Sequence, residues 1–329
     1  MTDTAAPRFS LPSMSVLGPV IALIALVIAG ALINSNFLSA ANITNVLARS
    51  AFIGIIAVGM TFVITAGGLD LSVGSMAAFI AGLMILVMNA ALPVMGVGVP
   101  IILLGMAVAL VAGIIAGLIN GLFVTALGIE AFIVTLGTMG IYRSLVMWLA
   151  DGGTLSLDFE LRTFYRPVYF DGILGISWPI IVFAICVIVG EILMSRARFG
   201  RHCAATGANE HVAHYSNVNV NRTRLLTYAM LGLLVGVATI MYVPRLGSAS
   251  ASTGLLWELE AIAAVIIGGT VLKGGFGRVW GTVIGVLILT LIDNILNLTD
   301  VVSPYLNGAI QGVIIILAVI LQREAKAKG

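Results

Sequence analysis

The sequence predicts an all-α polytopic membrane protein, and three observations lead to this fold class. Of the 329 residues, 60% are hydrophobic and only 9% are charged, whereas an ordinary soluble domain carries about 25% charged residues. The apolar residues fall into runs of helical length that are separated by short polar segments. A chain crossing a hydrocarbon core of about 30 Å needs about 20 apolar residues per helix, because its backbone polar groups must pair internally.

Ten apolar runs are candidate membrane helices. Their bounds, in chain order, are 16–33, 51–65, 73–89, 101–125, 132–150, 178–194, 225–243, 261–272, 279–296 and 308–321. The run at 132–150 carries Arg143, and the run at 261–272 is short and rich in glycine, so each is alternatively half-buried or re-entrant. Nine or eleven spans therefore stay open. The first run is long and is not followed by a small-residue cleavage site, which indicates a retained anchor.

The distribution of positive charge predicts the orientation. Lys and Arg accumulate in short cytoplasmic loops, and residues 195–224 hold five arginines against one acid, Glu210. This segment should therefore face the cytoplasm. The loop at 151–177, with four acids and two arginines, should face the other side. With an even number of spans, both termini are cytoplasmic, and the net charge of +2 gives no indication of a nucleic-acid partner.

Several kinds of chemical site have no motif in this sequence. No Gly-x-x-x-x-Gly-Lys-Ser/Thr segment occurs, so if ATP drives the protein, the ATPase is another chain. Cys203, His211 and His214 form the nearest metal-like cluster, but a zinc site needs a fourth ligand. We expect no metal or cofactor on this chain. A membrane enzyme would need a convergent nucleophile or acid–base cluster, and the sequence contains no such cluster.

Uncharged polar residues inside the predicted helices are candidates for a translocation path. They can hydrogen-bond a neutral hydroxylated solute without the cost of burying a charge. Alternatively, they join neighbouring helices, and we interpret Arg143 as structural, either paired or with its head group extended towards water. The candidates are Asn120, Thr135, Thr138, Asn294 and Asn297.

Two glycine-rich turns are candidates for gates at the cytoplasmic end of the path. Paired glycines permit a sharp turn, and an Asp or Ser beside them can cap the following helix, which is the alternative interpretation. The residues are Gly67, Gly68, Asp70 and Ser72 in the first turn, and Gly274 and Gly275 in the second. An alignment that superimposes the two glycine pairs also matches residues 57–58 with 264–265, which is consistent with a parallel internal repeat.

The basic loop contains a candidate docking segment. Gly207 begins a predicted turn, and about two helical turns follow and end at Asn217, a residue type that tolerates left-handed geometry. Alanines such as Ala213 would let another surface approach closely. Docking to a cytoplasmic partner and simple fixing of the topology are both compatible with this pattern.

Nine short motifs occur in order along nearly the whole chain. They are 57–65 (AVGMTFVIT), 67–75 (GGLDLSVGS), 130–136 (EAFIVTL), 198–201 (RFGR), 207–210 (GANE), 216–221 (SNVNVN), 258–265 (ELEAIAAV), 268–270 (GGT) and 274–278 (GGFGR). In this combination the chain resembles the membrane permeases of sugar-type ATP-binding cassette importers, the ribose, xylose and galactofuranose permease family. Ala208 and Asn217 stand where that family usually has glycine.

The resemblance implies one permease domain at 16–321 in the bacterial inner membrane, with tails at 1–15 and 322–329. It also implies a second permease copy, identical or paralogous, a cytoplasmic ATPase that holds ATP and Mg, and a periplasmic sugar-binding protein. The ATPase-coupling residues are then Gly207, Asn209, Glu210, Ala213 and Ser216. A sugar or polyol permease is the leading hypothesis, and an ion-coupled secondary transporter is the alternative, although no clear set of ion ligands is present.

Overall fold

The computed structural model describes residues 14–299 and positions 306, 308–310, 312 and 313. Most of this part of the chain is helical. The helices are α1 (Met14–Ile33), α2 (Ala40–Thr65), α3 (Val73–Met95), α4 (Val99–Thr125), α5 (Ala131–Leu149), α6 (Phe159–Tyr165), α7 (Pro167–Phe170), α8 (Trp178–Ser195), α9 (Arg198–Ala208), α10 (Glu210–Tyr215), α11 (Val220–Leu246), α12 (Trp257–Ile267) and α13 (Val279–Thr299). The strands are β1 (Thr154–Ser156), β2 (Gly172–Ile173), β3 (Ile176–Ser177) and β4 (Ser248–Ser250).

Seven helices in the described residues are long and apolar enough to cross a membrane: α2, α3, α4, α5, α8, α11 and α13. The prediction of a mostly helical, polytopic membrane protein is therefore confirmed, and the run with Arg143 is a helix of spanning length. The count of ten spans is not confirmed within the described residues, where the apolar helix of the run at 16–33 is a shorter one, Gly18–Ile33. The run at 261–272 contains only the eleven-residue α12, which covers about half of a 30 Å core at 1.5 Å per residue. The run at 308–321 lies largely outside the described residues.

Four short strands depart from the all-α prediction, and they lie in connecting segments. β1 and β4 pair antiparallel, with Leu155 opposite Ala249, and they join the 151–177 loop to the segment that follows α11. β2 and β3 form a small hairpin just before α8. Strands of two or three residues are too short to show an alternating hydrophobic pattern, so they could not be predicted from the sequence.

Helix α2 is the centre of the bundle. Its membrane window is 83% buried, the highest value among the seven candidate spans of the described residues. It packs against α8, α11, α12 and α13, while α3 packs against α4 and α5. Helix α2 begins at Ala40, well before the predicted start at 51, because its polar first turns continue the same helix.

A seam of glycines lets α4 and α11 approach backbone to backbone. A β-carbon on Gly113 would overlap the carbonyl oxygen of Gly232, and one on Gly117 would overlap that of Tyr228. Such small-residue contacts are typical of helix association in membranes, where close approach provides the van der Waals packing. The seam therefore fixes α11, which follows the basic loop, onto the helix that carries Asn120.

The bundle has two distinct ends. At one end, α2 and α12 terminate, α3 and α13 begin, α9 packs against α2, and α10 packs against α9; we call this the basic end. The opposite end carries the segment 151–177 together with β4, and we call it the acidic end.

Candidate functional site

The predicted coupling segment forms two helices at the basic end. Helix α9 runs through Gly207 and Ala208, so the predicted turn at Gly207 is wrong, and the chain breaks instead at Asn209, whose backbone is extended. The Asn209 side chain accepts a hydrogen bond from the Val212 N–H at 3.1 Å and caps α10. Helix α10 then ends near Asn217, which has a φ of 59° in the left-handed region, as predicted.

Helix α10 is exposed at every residue except Ala213. Val212 and Tyr215 are 59% and 89% exposed, whereas Ala213 is buried and its carbonyl accepts the Val218 N–H at 3.0 Å. Ser216 is exposed at the helix end. A groove of about 550 Å³ runs between α10 and the start of α11. These exposed apolar side chains beside a polar groove are typical of a surface that another protein covers.

Glu210 links the two helices that flank this groove. Its carboxylate forms an ion pair with Arg224 on α11 at 2.8 Å, and the two side chains are 50% and 22% exposed. Exposed ion pairs of this kind contribute at most about 1 kcal/mol to stability. The pair therefore adds little to the stability of the fold.

Gly207 connects α9 directly to both predicted gating turns. A β-carbon on Gly207 would overlap the Thr65 carbonyl oxygen and would lie 2.6 Å from the Gly275 nitrogen and 3.0 Å from the Gly67 nitrogen. Gly275 donates its N–H to the same Thr65 carbonyl at 2.9 Å. A β-carbon on Gly274 would lie 3.0 Å from the α-carbons of Gly207 and Gly67. The structure thus joins three segments, distant in sequence, through their backbones; we call this contact the glycine junction.

The two turns of the glycine junction have matching backbone conformations at their first glycines. Gly67 and Gly274 have φ values of 80° and 86°, a region that side chains rarely adopt. In each case a helix ends before the turn and another begins after it, at the same end of the bundle, which supports the parallel repeat. Gly68 differs from its repeat partner Gly275, because only Gly275 has a positive φ.

Gly68 is restricted by its neighbours and not by its own backbone conformation. A β-carbon there would lie 2.9 Å from the Tyr228 hydroxyl and 3.1 Å from a Val63 methyl group. The Tyr228 hydroxyl donates to the carbonyl of Leu69, the next residue, at 3.0 Å.

Three of the predicted site residues, Asp70, Ser72 and Asn120, are hydrogen-bonded to one another beside the first glycine turn. The Asp70 carboxylate accepts the Ser72 N–H at 2.8 Å and the Ser72 hydroxyl at 2.7 Å, and the Asn120 amide donates to Asp70 at 3.0 Å and to Ser72 at 2.9 Å. All three side chains are fully buried. The Ser72 side chain makes no cap to α3, so the predicted Ser72 cap is absent and Asp70 instead holds the N–H just before that helix. We call this group the Asp70 cluster.

Burial dominates the electrostatics of the Asp70 cluster. Desolvation raises the pKa of the Asp70 carboxyl, which lies in the turn between α2 and α3, above its ordinary value of 3.8. The hydrogen bonds from Ser72 and Asn120 oppose this effect because they favour the ionised form. The cluster is therefore a buried polar connection between the gating turn and α4. The protonation of its Asp70 carboxyl depends on burial and on the hydrogen bonds from Ser72 and Asn120.

The other candidate path residues are not brought together. Thr135 and Thr138 are buried on α5 and donate to carbonyls of their own helix, at 2.8 and 3.3 Å. Asn297 is exposed and donates to the Asp293 carbonyl, also on its own helix. Asn294 pairs with Asn42 at the acidic end. The five residues of the predicted path therefore do not line one continuous surface within a single chain.

Arg143 has a structural role, as predicted, through carbonyl oxygens. Its guanidinium donates to the Ala251 carbonyl at 2.6 Å and to the Thr253 carbonyl at 2.5 Å, and these lie in the segment between β4 and α12. Arg143 therefore anchors the loop that leads into the short helix. The described residues contain no group of three or more metal-ligating side chains.

Sequence reasoning missed two features of the site. Thr65, whose carbonyl receives Gly275, reads in the sequence only as the last residue of a helix. A mixed aromatic and polar cavity at the acidic end draws its lining from five helices, so no local motif marks it. Only tertiary structure brings such residues together.

Comparison with known proteins decides the class. Residues 42–319 match a family described as the permease component of the branched-chain amino acid transport system. The chain belongs to this permease family. The protein is a multi-pass membrane permease, a transport component, and this match together with the sugar permease relatives confirms the resemblance noted from the motifs.

The individual relatives of this permease are named as transport permeases for sugars. It is 39% identical over 318 residues to the ribose import permease protein of Bacillus subtilis (strain 168), covering 95% of this chain and 94% of the relative. It is 34% identical to the D-allose transport system permease protein of Escherichia coli (strain K12), over 89% and 87% of the two chains. It is also 31% identical to the xylose transport system permease protein of Haemophilus influenzae (strain ATCC 51907 / DSM 11121 / KW20 / Rd), over 89% and 91%.

Proposed function

We propose that this permease is the membrane-spanning subunit of an ATP-binding cassette importer that moves a sugar or sugar-like polyol inward by alternating access. The proposal of a sugar rests on the ribose, D-allose and xylose relatives, which match over almost their full lengths. The family description names branched-chain amino acids, and it covers transport systems more broadly than these individual relatives. The substrate test below therefore includes both solute classes.

The glycine junction is the observation that carries the mechanism. Helix α9 continues to Ala208, and Gly207 near its end packs against the backbones of Thr65 and Gly275. A displacement of α9 and α10 would therefore act through direct backbone contacts on the two glycine turns. These turns connect α2 to α3 and α12 to α13, so the ends of all four helices would move with them. Two-state switching requires an effector that interacts differently with the two states, and an ATPase that grips α10 in one state would meet this requirement.

The partners follow from this arrangement. A cytoplasmic ATPase would dock on the segment 195–224, through Asn209, Glu210 and the exposed residues of α10, and would hold ATP and Mg, because this chain has no Walker loop. A periplasmic sugar-binding protein would deliver solute at the acidic end. A second permease copy, identical or paralogous, would complete the assembly.

The proposed setting is the bacterial inner membrane. The five arginines of 195–224 favour a cytoplasmic basic end, so 151–177 would lie in the periplasm and both termini in the cytoplasm. We propose one transmembrane domain at 16–321 with about ten membrane segments, in which α12 counts as a half-span and 308–321 as the last segment. The residues 1–15 and 322–329 would form cytoplasmic tails.

Co-purification followed by reconstitution tests this function. The tagged permease, isolated in mild detergent from its native membrane, should retain an ATPase with a Walker motif, identified by mass spectrometry. In liposomes, uptake of ribose, xylose or allose should require ATP and the binding protein, while leucine serves as the amino-acid comparison. Uptake driven by an ion gradient in a preparation without ATPase would instead identify a secondary transporter, and ATP-driven uptake of leucine alone would reject the sugar assignment.

A further inference from the structure

A cavity of about 600 Å³ lies at the acidic end of the bundle. Its walls come from the start of α2, from α7, from the ends of α11 and α13, and from the start of α12. Small-molecule sites usually have volumes of about 300–1,000 Å³. The cavity is thus large enough for a small solute, and it lies at the opposite end from the glycine junction.

Packed aromatic rings form one side of this cavity. Phe52 stacks on Trp257 with ring centres 6.4 Å apart and an angle of 6°, and it stacks on Tyr169 at 5.8 Å. Tyr242 meets both Phe52 and Trp257 edge-on, at 5.5 and 5.0 Å. Phe52 and Tyr169 are almost fully buried, whereas Trp257 and Tyr242 are half-buried. The ring area that a C–H face of a ligand can cover therefore belongs to Trp257 and Tyr242, which the buried rings of Phe52 and Tyr169 hold in place.

Polar groups surround these rings. Asn42 and Asn294 exchange two hydrogen bonds, at 3.1 and 2.8 Å, which fixes both amides at the cavity wall. Arg245 lies over the Phe52 ring, with its guanidinium carbon 5.9 Å from the ring centre. The other polar lining residues are Asn45, Arg49, Glu260, Thr290 and Asp293. The lining thus offers both donors and acceptors, with cationic and anionic side chains in equal number.

We infer that this cavity is a solute site of the permease itself, and that it takes a neutral monosaccharide. A sugar ring has an apolar C–H face suited to the aromatic surface and a rim of hydroxyl groups suited to amides, carboxylates and guanidinium groups. The lining has two cationic and two anionic side chains, which does not favour an anion or a cation. The inference rests on the proposed function, and it adds the place where incoming sugar first contacts this chain.

Cysteine protection tests this site directly. Asn45 is exposed and lines the cavity, whereas Asn36 is exposed in the turn between α1 and α2 and does not line it. Asn45→Cys and Asn36→Cys are made in a complex whose Cys186 and Cys203 are replaced by Ala. A membrane-impermeant maleimide is added to right-side-out vesicles with ribose or with equimolar glycine, and the labelling rates are measured.

Ribose should protect position 45 and leave position 36 unchanged. At a ribose concentration of about twice the dissociation constant, labelling slows about threefold, because the free fraction falls as 1/(1 + [L]/Kd). Trp257→Leu should abolish this protection. The matched control Trp280→Leu, at an exposed tryptophan at the start of α13, should preserve it.

The outcomes separate this inference from the proposed function. Equal labelling of position 45 with and without ribose, in a complex that still imports ribose, overturns the cavity site and leaves the function standing. No labelling of position 45 in sugar-free vesicles also overturns it, because the cavity would then be closed to that side. Absence of uptake of any tested sugar by the complex rejects the proposed function itself.

Discussion

Gly275 donates its backbone N–H to the carbonyl oxygen of Thr65 at 2.9 Å, and this bond ties the turn after α12 to the end of α2. Gly207 fits against the same carbonyl because it has no side chain. The coupling segment and both turns therefore share one backbone contact. A change in the separation of the backbones at this contact should move all three segments.

Gly207→Ala should disconnect ATP hydrolysis from transport. The added methyl group would overlap the Thr65 carbonyl oxygen and crowd two backbone nitrogens, which cannot move like the end of a flexible side chain. Overpacking of this kind costs about 1–3 kcal/mol of stability, which a whole domain can tolerate, so we expect a folded complex in which the widened junction strongly reduces sugar uptake.

Sugar uptake and ATP hydrolysis in proteoliposomes, together with size-exclusion profiles, measure this effect. Gly140→Ala is the matched control, because a β-carbon there meets nothing within 4 Å. Uptake by Gly207→Ala equal to that of Gly140→Ala would contradict a tight junction.

Glu210→Lys should abolish ATPase coupling with little effect on stability. The substitution breaks the exposed ion pair with Arg224 and reverses the charge at the start of α10. Because such pairs contribute little, the melting temperature should fall by less than about 3 °C. Arg224→Gln breaks the same pair and keeps the Glu210 carboxylate, so it should retain sugar-stimulated ATP hydrolysis. If both variants lose this activity equally, the ion pair, and not a docking contact, is what matters.

Asp70 should make the stability of the protein depend on pH. Burial raises the pKa of its carboxyl, so the native state binds this proton more tightly than the unfolded chain does. Stability from this group is therefore present at low pH and is lost as the pH rises through the raised value.

Melting curves between pH 5 and pH 7.5 compare the wild type with Asp70→Asn, whose amide cannot ionise. The wild type should gain stability relative to the variant as the pH falls. A difference between the two proteins that does not change with pH would show that Asp70 does not titrate in this range.

Gly117→Leu should prevent normal assembly of the bundle. Gly117 packs against the Tyr228 backbone in the seam between α4 and α11, and a β-carbon there would overlap the Tyr228 carbonyl oxygen. We expect a marked loss of monodisperse protein in detergent, measured by fluorescence-detected size exclusion. Gly137→Leu, in α5 with no atom within 4 Å of the added β-carbon, should keep the wild-type profile. Equal yields would argue against close packing at the seam.

Helix positions were predictable where a change in hydropathy coincides with a structural boundary. The starts of α3 at Val73 and α8 at Trp178, and the end of α4 at Thr125, agree with the sequence analysis. The first eleven residues of α2 were missed because they include Asn42, Asn45 and Arg49, which read as a polar loop. These side chains line the acidic-end cavity, so their polarity reflects the cavity and not the end of the helix.

The candidate site was predictable as separate pieces. Paired glycines indicated both turns, and the basic loop indicated α10, because these signals are local in sequence. The contact of Gly207 with Thr65 and Gly275, and the hydrogen bond from Asn120 to Asp70, depend on how distant helices pack. One sequence without tertiary information contains no signal for such pairings.

The glycine junction also has a consequence for biosynthesis. Thr65 and Gly67 leave the ribosome long before Gly275, and at 5–20 residues per second the interval is roughly 10 to 40 s. During that time the end of α2 lies in the translocon or the bilayer without Gly275, the residue that binds the Thr65 carbonyl in the folded protein. A chaperone or insertase that shields this end, or a protease that recognises it when exposed, would act within that interval, so nascent chains arrested before residue 275 should be degraded faster than chains arrested after it.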